Sequence, residues 1–267
     1  MTLLLASVRD LDEARDAATG GAALIDLKEP HAGALGAVPL ATIREVVRML
    51  REEWPGLRVS ATIGDLPPDD LAGMVRMADR VGRCGVDYVK AGIAPGPHAA
   101  GTLARLAALP WQIVPVLLAD DGLDPALVRQ ACMLGFPALM ADTADKASGS
   151  LLDCVPMAHL KRFVGEARAH GLLAGLAGSL RIGHLPAVLA IAPDIAGFRT
   201  ALCAGGRTGR LESGRVRAIR ELLAQGASVS SVFSPLPLGE GPGVRAGATS
   251  SDITGTTACP HPQPLSR

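Results

Sequence analysis

Of the 26 basic residues in this 267-residue chain only four are lysines: Lys28, Lys90, Lys146 and Lys161. The run LIDLK ends in Lys28, the run VDYVK ends in Lys90, and PALMAD stands just before Lys146. Arginine supplies nearly all the other positive charge. Arginine does not deprotonate and is a poor nucleophile, so an amine kept at these places points to a need for one. A desolvated lysine can lose its proton, attack a carbonyl and form a Schiff base. The bland alternative, surface charge at strand ends, does not explain why three of four lysines follow apolar runs. Asp26 lies two residues before Lys28, so on a strand both face the same side. There the carboxylate can orient or protonate what the amine binds, or serve only as its ion-pair partner. Lys90 shares its face with Tyr88, the single tyrosine. Ammonium groups held close together lower one another's proton affinity, which leaves one amine to form an imine and another to act as acid or base.

Such residues need elements that bring them to one place. Eight apolar runs alternate with helical segments over 1–225. The runs are LLLAS (3–7), ALIDLK (23–28), LRVSATIG (57–64), VDYVKAG (86–92), WQIVPVLL (111–118), PALMAD (137–142), LLAGLAG (172–178) and PDIAGFR (193–199). Asp10 is placed to cap the first helix, and the two prolines of PPDD to start the third. Asp124-Pro125 is placed to open the fifth and Pro156 the sixth. Continuous apolar runs fit a parallel sheet covered on both faces. Eight βα units in roughly 225 residues fit an α/β fold of the (β/α)₈ barrel type better than an open doubly wound sheet, and no GxGxxG follows the first strand.

A barrel of this kind carries its active site at the C-terminal ends of the strands. Taken in order, those ends bring Ser7 and Arg9, Asp26 and Lys28, Ser60 and Thr62, Lys90, then Asp142 with Lys146. The segments LAGSLRIGH and GFRTALCAGGRTGRL add Gly178, Ser179, Arg199, Gly205, Gly206 and Arg207 after the last two strands. Backbone N–H groups and arginines in those loops are suited to a phosphate group. The histidines show no metal-ligand spacing, and no metal site is expected.

Acidic and basic residues balance at 26 each, which excludes the field that would draw nucleic acid or an anionic membrane. Five separated cysteines without a CxxC pair argue for a reducing compartment. No apolar run reaches the ~20 residues of a membrane span, and the opening MTLLLASVRD lacks the features of a signal peptide, so a cytoplasmic protein is expected. From 226 to 267 the composition turns to Pro, Gly, Ser and Thr without periodicity, and this tail is expected to be disordered.

The motifs SVRDLDEA, GGAALIDLKEPHAGALGA, DYVKAGI, ADTADKASGSLLD, LAGSL and GFRTALCAGGR together resemble the (5-formylfuran-3-yl)methyl phosphate synthase (4-HFC-P synthase) family of methanofuran biosynthesis. The resemblance covers 1–225. It implies a barrel enzyme, a carbon–oxygen lyase acting on phosphates, with no cofactor. Its implied reaction condenses two molecules of glyceraldehyde 3-phosphate into the phosphorylated furan aldehyde with loss of phosphate and water. It also implies Lys28 as the Schiff-base residue, Lys90 as proton acceptor and donor, and Asp142 and Lys146 as matching site residues. Lys146 or an arginine is expected to help hold the second phosphate. A homo-oligomer is expected, as barrels commonly associate. Two other readings stay open: a Schiff-base aldolase or isomerase barrel acting on a single sugar phosphate, and a barrel that binds a phosphometabolite without turnover.

Overall fold

In the computed structural model, which describes residues 1–145 and 149–225, each expected apolar run is one strand of a closed parallel barrel. Lys146 and the 226–267 tail, with its expected disorder, lie outside the described residues. The strands are β1 (Leu3–Val8), β2 (Leu24–Leu27), β3 (Arg58–Thr62), β4 (Tyr88–Ile93), β5 (Ile113–Leu118), β6 (Ala138–Asp142), β7 (Leu173–Leu176) and β8 (Ile195–Phe198). They pair in sequence order, and β8 closes on β1 through the register Leu3 with Ile195 to Ala6 with Phe198. The helices are α1 (Leu11–Thr19), α2 (Leu40–Glu53), α3 (Leu71–Gly82), α4 (Ala99–Ala107), α5 (Pro125–Met133), α6 (Leu151–Cys154), α7 (Met157–Ala169), α8 (Leu185–Ile191) and α9 (Ser213–Gln225). Among the described residues no helix is long and apolar enough to cross a membrane.

Local chemistry explains most of the helix starts. The Asp10 carboxylate accepts from the N–H of Glu13, and Asp124 accepts from Ala126 with Pro125 filling the first turn. The third helix departs from expectation. It begins at Leu71, because Asp70 provides the acceptor for the Gly73 N–H, and the two prolines stand before it. The short α6 leaves no trace in the periodicity, because a single turn holds no repeat to detect.

The period-2 alternation of each strand sorts its side chains into two cores. Outward residues such as Ala6, Ile25, Leu27, Val59, Ala61, Val89, Leu139 and Phe198 pack under the helices. Inward residues form a separate cluster of Leu5, Leu24, Val114, Val116, Ala138, Met140 and Ile195, with Tyr88 against it. Each buried Leu, Ile or Val contributes about 1.5–3 kcal/mol. Above this apolar floor the inward positions turn polar: Ser7, Asp26, Lys28, Ser60, Lys90 and Asp142 are all buried.

One inward apolar residue comes from a loop. Leu35, between β2 and α2, joins the interior cluster and is 1% exposed. Its N–H donates to both oxygens of Asp65, at 3.0 and 3.1 Å. The next residue is fixed as well, since Thr62 Oγ1 donates to the Gly36 carbonyl at 2.9 Å. Gly92, two residues beyond Lys90 on β4, makes the room. A Cβ there would stand 2.7 Å from Leu35 Cδ1, so a side chain would displace the leucine tip from its present position.

Candidate active site

Asp26 is the deepest charged group of the barrel, with no exposed surface. Lys90 Nζ donates to its Oδ2 at 3.0 Å, Ser60 Oγ donates to Oδ1 at 2.6 Å, and Ser7 Oγ donates to Oδ2 at 3.3 Å. Burial alone would raise the proton affinity of this carboxyl. The charges of Lys90 and Lys28 and the bonds from Ser60 and Lys90 outweigh it, and hold Asp26 below the usual carboxylate range.

The sequence leaves Asp26 either sharing a site with Lys28 or serving as its ion-pair partner; both line one pocket, and the close ion pair of Asp26 is with Lys90. Lys28 Nζ stands 3.7 Å from Asp142 Oδ2 across the mouth, while Asp26 makes its ion pair with Lys90. Inward residues two apart on a strand stand roughly 6.6 Å from each other, so they share a face without touching. Lys90 reaches Asp26 from two strands away, past Ser60. The other oxygen of Asp142 accepts from the N–H of Thr143 at 2.7 Å, which fixes the plane of the carboxylate.

Lys28, Lys90, Asp26, Asp142 and Ser7 line one pocket at the C-terminal mouth of the barrel, together with Gly178, Ser179, Gly197, Thr200 and Arg207. The β7 side is built from unusual backbone. Gly178 and Ser179 have φ of 100° and 50°, in the left-handed region that a non-glycine residue seldom enters. Gly178 is also pressed against its neighbours: a Cβ would lie 3.0 Å from Leu151 Cβ and 3.1 Å from the Thr143 nitrogen. The Leu151 N–H donates to its carbonyl at 3.0 Å, so α6 locks the end of β7 to the end of β6.

The two arginines expected to grip a phosphate separate in the structure. Arg199 is 7% exposed, and all five of its N–H groups are engaged by the protein. Nε donates to the Arg207 carbonyl, Nη1 to the Ser7 carbonyl and to Glu13, and Nη2 to Glu13 and to the Gly209 carbonyl. It has no N–H left for a ligand, so the expectation that Arg199 itself binds phosphate is corrected. Arg207 reaches over the mouth, donating through Nη1 to the Pro30 carbonyl at 3.1 Å and through Nη2 to the Gly33 carbonyl at 2.7 Å. Burial pushes its guanidinium below the ordinary arginine range. Gly205 and Gly206, with φ of 75° and 91°, shape the loop that carries it.

The sequence places Ser60 at the rim without a partner and assigns no role to Glu13, Leu35 and Asp65. Only Glu13 left a trace there, as an acid one helical turn after Arg9 in SVRDLDEA. Among the described residues no group of three or more His, Cys, Asp or Glu side chains is gathered as metal ligands.

The sequence profile described as 4-HFC-P synthase matches residues 4–220. The chain belongs to this family. A Methylorubrum extorquens relative named as a candidate (5-formylfuran-3-yl)methyl phosphate synthase is 37% identical over 226 residues, covering 84% of this chain and 92% of its own. The (5-formylfuran-3-yl)methyl phosphate synthase of Methanothermobacter thermautotrophicus is 34% identical over 251 residues, covering 83% of this chain and 98% of its own. That of Methanocaldococcus jannaschii is 33% identical over 252 residues, covering 82% and 99%. Among solved structures, phosphoribosyl anthranilate isomerase from Thermus thermophilus superposes with a TM-score of 0.57 at 17% identity, covering 86% of this chain and all of its own. KGPDC from Streptococcus mutans gives 0.58 at 15% identity, covering 84% and 98%. At such identities these two show the shared barrel fold alone.

Proposed function

We propose that this enzyme condenses two molecules of glyceraldehyde 3-phosphate into (5-formylfuran-3-yl)methyl phosphate, with loss of inorganic phosphate and water, in the biosynthesis of a methanofuran-type cofactor. The observation that carries the proposal is one buried pocket holding two lysines, each with a carboxylate of its own. Membership of the family supplies the product.

Lys28 is the nucleophile in this reading. Its amine adds to the aldehyde carbon of one triose phosphate, and the carbonyl oxygen leaves as water to give the iminium. The iminium acidifies the adjacent C–H bond, and Lys90 or Asp142 takes that proton. The enamine left behind attacks the aldehyde carbon of the second triose, forming the new carbon–carbon bond. Elimination of one phosphate and dehydration towards the aromatic ring draw the sequence forward, and attack of an oxygen nucleophile on the iminium carbon expels the Lys28 amine and frees the product. Asp26 keeps Lys90 in place and balances its charge between proton transfers. A phosphate group is held by the N–H groups and small residues of Gly178, Ser179, Gly205 and Gly206 and by Arg207, whose guanidinium has donors beyond the two given to carbonyls. Lys146 or an arginine helps hold the second phosphate in this reading.

Borohydride reduction in the presence of glyceraldehyde 3-phosphate, followed by peptide mapping, tests the assignment. The expected adduct is on Lys28, and turnover should raise the near-ultraviolet absorbance of a furan. A label on Lys90 instead would overturn the division of roles, and an aldol product without furan absorbance would overturn the reaction.

A further inference from the structure

We infer that Glu13 is a positioning residue for substrate phosphate, acting through Arg199 and the 204–210 loop on Arg207. The inference rests on the phosphate reading given above and adds to it a residue outside the pocket. Glu13 belongs to α1, is 1% exposed, and does not line the mouth. Its carboxylate is nevertheless the hub of the polar ties that fix the loop after β8.

The loop has little of its own to hold it. It carries the left-handed Gly205 and Gly206, and its internal bonds include Ala204 N–H to the Arg210 carbonyl at 2.9 Å and Gly209 N–H to the Gly206 carbonyl at 3.0 Å. Its Arg207 and Arg210 side chains reach out to Pro30, Gly33 and Asp16, but its backbone is held from outside at three carbonyls, each by an arginine that Glu13 orients. Arg199 takes the Arg207 carbonyl at 2.9 Å and the Gly209 carbonyl at 2.8 Å, and Arg9 Nη1 takes the Thr208 carbonyl at 3.1 Å. Glu13 in turn accepts from both nitrogen arms of Arg199, from the side chain and backbone of Arg9, and from the Leu211 N–H. Burial would raise this carboxyl, but its bonds to Arg199 and then Arg9 hold it below the usual carboxylate range, so it is ionised at neutral pH.

Without that charge Arg199 is a buried cation lacking its counter-ion, an unfavourable state that is relieved by moving away. The Arg207 carbonyl is bonded to Arg199 Nε, so the Arg207 backbone moves with it. The guanidinium over the mouth then loses its fixed reach to Pro30 and Gly33 and its aim into the pocket.

Titration with inorganic phosphate, followed by calorimetry, reads this without requiring turnover. Glu13→Gln should weaken phosphate binding about tenfold and Arg207→Ala by more, while the double variant should match Arg207→Ala within about twofold, since residues acting in series do not add. With triose phosphate, Glu13→Gln should raise KM by a similar factor and leave kcat within about threefold; a merely structural role would lower the active fraction and leave KM alone. Arg9→Ala, at a partly exposed position, should repeat the effect in weaker form should Glu13→Gln fail to fold. Unchanged phosphate affinity in folded Glu13→Gln, losses that multiply in the double variant, or no phosphate binding by the wild-type enzyme would each overturn the inference. Phosphate binding that obeys the cycle in an enzyme that makes no furan would instead overturn the reaction proposed above and leave the role of Glu13 standing.

Discussion

The floor and the rim of the barrel interior use the same inward positions of the same strands and fill them by opposite rules. On β2, Leu24 lies in the apolar floor and Asp26 and Lys28 in the rim; on β6, Ala138 and Met140 are followed by Asp142. The floor is held by burial alone, which is tolerant of shape as long as volume is conserved. The rim is held by charge-assisted bonds between buried groups, each of which must keep its partner. Lys90 sits on the boundary. It lines the polar pocket above and the apolar cavity below that also touches Leu5, Leu24, Val114 and Met140. A single side chain therefore belongs to the chemistry of one layer and the packing of the other.

Substitutions can break or sharpen this division. The largest effect is expected for Lys28→Arg, which keeps the positive charge near Asp142 and removes the proposed nucleophile. Turnover should fall by on the order of 10³-fold or more, measured as furan absorbance, with the thermal midpoint unchanged. Retained turnover would detach the rim from the reaction. Lys90→Met should abolish turnover as well, but it leaves Asp26 buried without its closest cation and should destabilise the fold by about 3–5 kcal/mol in urea titration. A Lys90→Met protein as stable as wild type would show that the boundary is drawn in the wrong place. Leu35→Ala should cost about 2–5 kcal/mol and open a gap over Gly92; a smaller loss would mean that the loop collapses inward to refill it.

A gentler probe is acid. Asp26 and Glu13 both have carboxyls held below their unfolded range, so the stability they contribute is complete above about pH 5 and is lost as pH falls through their folded values. The urea midpoint should drop in that window, and less steeply in Asp26→Asn. The smallest change is expected on the floor, where Met140→Leu conserves volume and should cost less than about 1.5 kcal/mol.

Much of this arrangement was legible beforehand because it is written locally. Strand alternation, the Asp10 and Asp124 caps and the lysines at the end of β2 and within β4 depend on residues a few positions apart. The partnership of Asp26 with Lys90 depends on cross-strand register through Ser60, which no spacing along the chain reveals. Arg199 misled for the same reason. An arginine at a strand exit looks free for a ligand until Glu13, 186 residues away, is found to be its counter-ion. Leu35 stayed hidden because one leucine in a glycine-rich loop has no period to mark it as interior.

The loop after β2 carries a constraint on how such an enzyme can diversify. Seven residues separate Lys28, at the end of β2, from Leu35, which packs into the barrel interior over Gly92 of β4. Inserting or deleting a residue there would move the lysine and the leucine together. The turns on the opposite shore are bound in as well, Gly178 against the end of β6 and Arg207 to the Pro30 and Gly33 carbonyls, so a change of length after β7 or β8 also reaches back to the amines.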